Sequence, residues 1–124
     1  MAAIDIEKFV QKLRTQALPP FGQGRCARYV RMALEAAGAQ TAGHPVHAKD
    51  WGPTLARIGL RALSSEQYVP LKGGVVVMEG TSTSASGHIQ GFDGRQWISD
   101  FVQPAFWPGP SYRKEEPAYV VYRP

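Results

Sequence analysis

The sequence predicts an α+β domain, with helices in the first half of the chain and an antiparallel sheet in the second half. Apolar residues recur at helical spacing before Gly38, whereas short runs rich in β-branched residues alternate with turn signals after Pro70. Helices followed by antiparallel strands are the pattern of the α+β class. A length of 124 residues suits one hydrophobic core, so residues 1–124 are expected to form a single domain.

Two amphipathic helices are predicted near the start of the chain. The first covers residues 5–17, where Asp5 can cap the amino-terminal end, and the second covers residues 26–37. Residues 39–50 are predicted to form a surface loop. A short third helix is expected within residues 51–60, because a proline is well tolerated in a first turn.

The strands are predicted from short apolar runs bounded by glycine and proline. A buried strand at residues 75–78 is followed by a hairpin whose turn contains Asp93 and Gly94. The hairpin strands and the last strand are expected at residues 87–92, 96–101 and 118–122, with an aromatic and proline-rich loop at residues 104–110.

The composition limits the possible partners and sites. Fourteen Lys and Arg against ten Asp and Glu give a net charge of +4, which favours an anionic partner such as nucleic acid, a membrane surface or a cell wall. No apolar run approaches the ~18 residues of a membrane span, and the first residues lack a basic and then apolar leader, so export by a signal peptide is not expected. A single cysteine excludes an internal disulfide and multi-cysteine zinc sites.

Cys26 is the candidate nucleophile, because it lies where a glycine-containing loop passes into the second predicted helix. Free amides and the positive end of the helix dipole favour a thiolate there, and the same amides can stabilise an oxyanion. A lowered thiol pKa is therefore expected. The alternative is a small buried side chain that only packs against the core.

A cysteine nucleophile needs a base, and His88 is the preferred histidine. It follows Gly87 at the start of a predicted strand, a position from which it can face a helix start across a cleft. His44 and His47 lie in a loop near Asp50 without helical spacing, so no metal site is expected.

The hairpin offers a third residue to orient His88. A three-residue turn, Asp93 to Arg95, places Asp100 opposite His88, and a two-residue turn places Ser99 there instead. A carboxylate on one imidazole nitrogen fixes the tautomer and stabilises the imidazolium, so Asp100 is preferred.

These residues carry a family resemblance. Three segments of this sequence, in this order, resemble the NlpC/P60 and CHAP superfamily. They are Gly22-x-Gly24-x-Cys26-Ala27-x-x-Val30-Arg31-x-Ala33-Leu34, then Gly73-Gly74-Val75-Val76-Val77, then Gly87-His88-Ile89. Members are papain-like cysteine peptidases and amidases that cut the peptides of bacterial peptidoglycan. The small size and Trp97-Ile98-Ser99-Asp100-Phe101 look most like the amidase effectors of type VI secretion systems.

The resemblance implies a papain-like NlpC/P60 fold, in which N-terminal helices pack on a small antiparallel sheet. It implies Cys26 as nucleophile, His88 as base and Asp100 as third member, without a cofactor. Gln23, Arg25 and Trp107 are the expected substrate-binding residues. Gln23 stands three residues before the cysteine, whereas CHAP proteins place a glutamine immediately before it.

The expected substrate is an amide of the peptide stem or cross-link of Gram-negative peptidoglycan, with the cross-link preferred. The expected partners are the type VI secretion machinery and a cognate immunity protein, without nucleic acid or membrane. The site of action is the periplasm of a target bacterium, reached without a signal peptide.

Two alternatives remain open. The same fold can serve housekeeping wall remodelling or phage lysis. A protein of another class, a basic nucleic-acid-binding module, would use Arg25, Arg28, Arg31, Trp97 and Trp107.

Overall fold

Helices and strands follow one another in the order expected for an α+β chain. The computed structural model describes residues 4–19, 24–64 and 69–124. Its helices are α1 (Ile6–Gln16), α2 (Cys26–Ala36), α3 (Gly52–Arg57) and α4 (Pro110–Glu115), with a 3-10 turn at Ala48–Asp50. Its strands are β1 (Arg61–Leu63), β2 (Val75–Met78), β3 (His88–Phe92), β4 (Trp97–Ile98) and β5 (Tyr119–Arg123). None of these helices has the length and apolar character needed to cross a membrane.

The five strands form one antiparallel sheet in the order β1-β5-β2-β3-β4. β2 lies at the centre, where Val77 pairs with Ile89 on β3 and Val76 pairs with Val121 on β5. All four residues of β2 are buried. An apolar strand without alternating polar residues needs cover on both faces, and both faces of this sheet are covered.

Helices α1 and α2 cover one face of the sheet. Asp5 caps α1 by accepting a hydrogen bond from the Lys8 backbone N–H at 3.1 Å. Close approach between α1 and β3 requires Gly91, since a Cβ at this position would lie 2.8 Å from both Leu13 Cδ1 and Phe9 Cζ. The packing places the start of α2 beside the start of β3, and both candidate catalytic side chains lie at these two points.

An aromatic cluster covers the opposite face. Trp97 packs against Phe92 and Phe106, with ring centroids 4.7 Å and 5.4 Å apart. Tyr112 on α4 joins the same cluster and is buried. The segment after β4 therefore crosses the sheet and supplies residues to the cleft from that side.

The α+β prediction is confirmed, and so are the helices expected at residues 5–17 and 26–37. Three elements were not predicted: the 3-10 turn at Ala48–Asp50, which lies in a segment predicted to be a loop, β1 and α4. β1 has only three residues, too few for a periodic signal. α4 begins at Pro110, inside a segment interpreted as a proline-rich loop, and prolines are common in the first turn of a helix.

The predicted hairpin register was wrong. Phe92 pairs with Trp97, so the turn contains four residues rather than two or three. The reason is the Asp93 side chain, whose Oδ1 accepts from the backbone N–H groups of Arg95 and Gln96 at 2.8 Å and 2.7 Å. These hydrogen bonds to the carboxylate stabilise a turn one residue longer than the predicted three-residue turn. Counting residues between the two strands does not reveal this extra residue.

Candidate active site

Cys26 is the first residue of α2 and borders a cleft of about 1120 Å³. Its side chain is half-buried. Hydrogen bonds from the backbone of Ile89, Ala27 and Cys26 itself favour its thiolate. The first amides of a helix lack partners within the helix, so this sulfur lies among donors that can also bind a developing oxyanion.

Segments that are distant in sequence line the cleft together. They are residues 24–28, 46–48, 83–88, 100–101 and 108–113, with Pro104. The loop of residues 81–86, here called the serine loop, is attached to α4. Thr81 Oγ1 donates to Ser111 Oγ at 3.0 Å, and the Ser82 backbone N–H donates to Glu115 Oε1 at 3.0 Å. These contacts join two walls of the cleft.

His88 opens β3 and is 7% exposed. Its position depends on Gly87, which has φ +76°, and a Cβ there would collide with Met78 O and lie 2.6 Å from Lys49 Cβ. The imidazole also packs against the Tyr112 ring, with centroids 5.7 Å apart. Backbone geometry and an aromatic neighbour together hold the ring at the cleft.

Gln103 holds the Nε2 atom of His88. Gln103 Oε1 lies 2.8 Å from this nitrogen, and both side chains are buried. The amide nitrogen of Gln103 donates to Gln90 Oε1 at 2.9 Å and to the carbonyls of Ala105 and Phe106 at 3.0 Å and 3.1 Å.

This network determines the tautomer of the imidazole. Because three acceptors surround Gln103 Nε2, the amide oxygen must point to His88. An amide oxygen only accepts, so the Nε2 atom of His88 carries the proton. The Nδ1 atom is left with a lone pair and is the nitrogen able to take a proton from a thiol.

Burial keeps both groups neutral at rest. It lowers the pKa of His88 to about 4, against the opposing effects of the hydrogen bond to Gln103 and the negative charge of Asp100. Burial also raises the pKa of Cys26, and Asp100 raises it further, while the Ile89 backbone lowers it. The expected lowered thiol pKa is therefore wrong for the resting protein: desolvation of the sulfur exceeds the effect of the helix amides.

Alkylation of Cys26 by iodoacetamide is expected to be slow at neutral pH and to accelerate only above pH 9.0, the ordinary thiol pKa, because the thiolate reacts. Asp100→Asn should move this rise to lower pH, since it removes a negative charge that disfavours the thiolate. Mass spectrometry of the labelled protein across pH measures both profiles. Fast labelling of the wild type at pH 7 would contradict the neutral thiol.

Asp100 is buried beside Cys26 but makes a different contact from the one predicted. Its Oδ2 accepts from the Arg25 backbone N–H at 3.0 Å, and its Oδ1 lies 3.4 Å from Ser99 Oγ. The four-residue turn removes the predicted pairing of His88 with Asp100 or Ser99. The structure places Gln103 on the Nε2 atom of His88, and Asp100 acts on both Cys26 and His88 through its charge.

The three predicted substrate-binding residues have different positions. Arg25 is exposed and lines the cleft. Trp107 packs on Phe106 and Tyr119 in the aromatic cluster and is not among the residues that line the cleft, so its predicted apolar contact with substrate is not supported. Gln23 lies outside the described residues.

The other two histidines, His44 and His47, make different contacts and line different pockets. His47 lines the cleft and lies with Nδ1 3.0 Å from Ser86 Oγ. His44 lines a side pocket that adjoins this cleft. Within the described ranges, no three His, Cys, Asp or Glu side chains are grouped closely enough to hold a metal ion.

Sequence reasoning missed Gln103. The available signal was a single polar residue inside the apolar segment 101–107, Phe-Val-Gln-Pro-Ala-Phe-Trp. A glutamine in such a run is buried only when its amide is fully hydrogen-bonded, which the three acceptors here achieve.

Comparison with known proteins identifies one group of relatives. The sequence matches no family model and no curated protein. The structure matches the type VI native effector–immunity complex Tae3–Tai3 from Ralstonia pickettii, with 37% identity, a TM-score of 0.86, and coverage of 96% of this chain and 98% of that one. The selenomethionine form of the complex also has 37% identity and gives a TM-score of 0.85, covering 95% and 100% of the two chains.

A more distant match shows the fold alone. Ly7917, solved with the hydrolysing product of MDP, has a TM-score of 0.59 and 17% identity, with coverage of 97% of this chain and 63% of that one. At 37% identity over nearly the whole of both chains, the Tae3–Tai3 match carries more weight. The chain therefore belongs to the Tae3 family of type VI secretion effectors.

Proposed function

We propose that the chain is a papain-like cysteine amidase of the NlpC/P60 type, which hydrolyses an amide of Gram-negative peptidoglycan through an acyl-enzyme on Cys26. The observation that carries this proposal is the oriented base. His88 has a protonated Nε2 held by Gln103 and an Nδ1 that carries the lone pair, and it lines one cleft with a cysteine at a helix start. Nucleophile, base and orienting group are the parts that such catalysis needs.

The reaction starts from the neutral pair. The thiol proton passes to the Nδ1 atom of His88 as the sulfur attacks the carbonyl carbon, and the carbonyl electron pair moves to oxygen. The amides at the start of α2 stabilise this oxyanion. Collapse breaks the C–N bond, and His88 gives its proton to the leaving amine. Water then attacks the thioester carbon while His88 takes the water proton. Collapse of this second intermediate breaks the C–S bond and releases the carboxylic acid, and His88 returns its proton to the sulfur of Cys26.

Gln103 and Asp100 have separate roles in this mechanism. Gln103 accepts from the Nε2 atom of His88 in both protonation states and so holds the ring in one orientation. Asp100 raises the pKa of His88 by its charge and so stabilises the imidazolium that forms during attack. Its contact with the Arg25 backbone keeps that charge at the helix start, where it opposes a permanent thiolate.

Membership of the Tae3 family supports a proposal for the biological setting. We propose that the protein is exported by a type VI secretion system, cuts peptidoglycan in the periplasm of a target cell, and is neutralised by a cognate immunity protein. A net charge of +4 favours approach to an anionic wall polymer. The preferred bond is the diaminopimelate–D-alanine cross-link, and the alternative lies between D-glutamate and diaminopimelate.

Digestion of purified Gram-negative sacculi tests this function. Separation of soluble muropeptides with mass spectrometry should show loss of cross-linked dimers and appearance of intact tetrapeptide monomers. Disaccharide-dipeptide products would instead identify the D-glutamate–diaminopimelate bond. Release of whole stems from the sugar, or no change, would contradict the proposal.

Replacement of Gln103 by leucine is expected to reduce kcat by about tenfold or more, because the imidazole loses its fixed tautomer. The ¹⁵N shifts of the His88 ring report this directly. The wild type and Asp100→Asn should show a protonated Nε2, and Gln103→Leu should show mixed tautomers. If Asp100→Asn lost the preference and Gln103→Leu kept it, Asp100 would be the orienting residue.

A further inference from the structure

A side pocket of about 310 Å³ adjoins the catalytic cleft and shares Ala27, Arg28 and Val46 with it. Its remaining lining residues are Arg31, His44, Pro45 and Trp51. Two arginines thus lie on the same helix as Cys26, facing a pocket that the mechanism above does not use.

Arg31 is fixed in this pocket by a neutral histidine. Arg31 Nη1 lies 2.7 Å from the Nε2 atom of His44, and His44 Nδ1 lies 3.0 Å from Pro45 O. A carbonyl and a guanidinium can both be satisfied only if Nδ1 carries the proton and Nε2 accepts. The imidazole stacks on Trp51, with ring centroids 5.5 Å apart. The guanidinium is therefore positioned by a group that does not cancel its charge.

The pocket has more donors than acceptors. Among the described residues, the buried Nε of Arg31 and Nε1 of Trp51 lack a hydrogen-bond partner. The closest ion pair of Arg31 is Glu35 Oε2 at 3.8 Å, too long for a hydrogen bond. The exposed Arg28 has no ion pair or hydrogen bond within the part of the chain that the structure describes. An anion would supply the missing acceptor.

Helix geometry gives the separation of Arg31 from Cys26 along the helix axis. Arg31 follows Cys26 by five residues on α2, which corresponds to about 7.5 Å along the helix axis. An extended peptide spans about 3.3–3.6 Å per residue, so this separation, which is a lower bound, corresponds to at least about two residues. The stem peptides of peptidoglycan carry free carboxylates at such separations from their amide bonds.

We infer that Arg28 and Arg31 form a subsite for a free carboxylate of the peptide stem, at least about two residues from the amide that Cys26 attacks. This inference rests on the proposed function. Arg31 supplies a planar pair of donors suited to a carboxylate, and Arg28 supplies a second charge at the entrance from the cleft. The pocket sets which stem the enzyme accepts, whereas Cys26 and His88 carry out the chemistry.

Titration calorimetry on Cys26→Ala, which binds without turnover, tests the subsite. The probes are a disaccharide-tetrapeptide muropeptide and the same molecule with its stem carboxylates amidated. Amidation should weaken binding about tenfold to a hundredfold. Adding Arg31→Met should weaken binding of the carboxylate probe by a similar factor. In this variant amidation of the probe should have little further effect on affinity, because the substitution and the amidation remove the same interaction.

Arg61→Met is the matched control, because it removes the same charge from β1 at the other edge of the sheet. Arg28→Met, at an exposed position, gives an independent variant if Arg31→Met lowers stability. Equal binding of the two probes, or additive losses from Arg31→Met and amidation, would overturn the subsite. Failure of the wild type to digest sacculi would instead overturn the proposed function, and the subsite with it.

Discussion

Replacing Cys26 with alanine is expected to abolish release of soluble muropeptides from sacculi, with a loss of about 10³-fold or more. The reason is chemical, since no other cysteine exists in the chain and no acyl-enzyme can form on a methyl group. The small change in volume at a half-buried position should leave the fold intact. Chromatography of muropeptides measures the activity, and thermal unfolding measures the fold.

Cys26→Ser is the control for size, because a hydroxyl replaces the thiol at nearly the same volume. It should be about as inactive as Cys26→Ala, since a neutral imidazole whose pKa is lowered to about 4 is too weak a base to activate a serine hydroxyl. Activity of either variant within tenfold of the wild type would contradict the proposed mechanism.

Replacing His88 is expected to reduce kcat/KM by about 10²-fold or more, the usual contribution of a general base. His88→Ala also leaves the buried Gln103 Oε1 without a donor, which costs about 1–3 kcal/mol of stability. His88→Gln is the second variant, because its amide can donate to Gln103 but cannot accept the thiol proton as a base. Steady-state kinetics on a defined muropeptide, with unfolding measurements, separates the two effects.

His47→Ala provides the comparison, since His47 lines the same cleft and is bonded only to Ser86 among the described contacts. Its loss should be much smaller than that of His88→Ala. A larger loss from His47→Ala would mean that the base is wrongly assigned.

The sequence allowed prediction of those elements whose signals are local. The apolar face of α1, the glycine after α2 and the valine run of β2 are each formed by residues close together in the sequence. The bounds of α1, α2 and β2 were accordingly predicted close to those observed. The same holds for Cys26 and His88 as candidates, because a helix start and a strand start can be recognised from their neighbours.

The missed features depend on contacts that no short window contains. The hairpin register changed because one side chain, Asp93, closes a four-residue turn. Gln103 reaches His88 because the chain after β4 folds back along Trp97, whose carbonyl accepts from the Gln103 backbone N–H at 2.8 Å. A residue that contacts His88 from such a return segment has no fixed sequence spacing from the histidine.

The use of an amide to orient the base has a consequence for acid tolerance. An aspartate in this position would exchange a proton with its surroundings on acidification and lose its hold on the ring. The Gln103 side chain does not titrate, and its amide nitrogen donates to Gln90 Oε1 and to two backbone carbonyls, which keeps its oxygen turned toward His88. The orientation of His88 should therefore be the same in neutral and acidic media, including below about pH 4, where the imidazole itself takes up a proton on Nδ1.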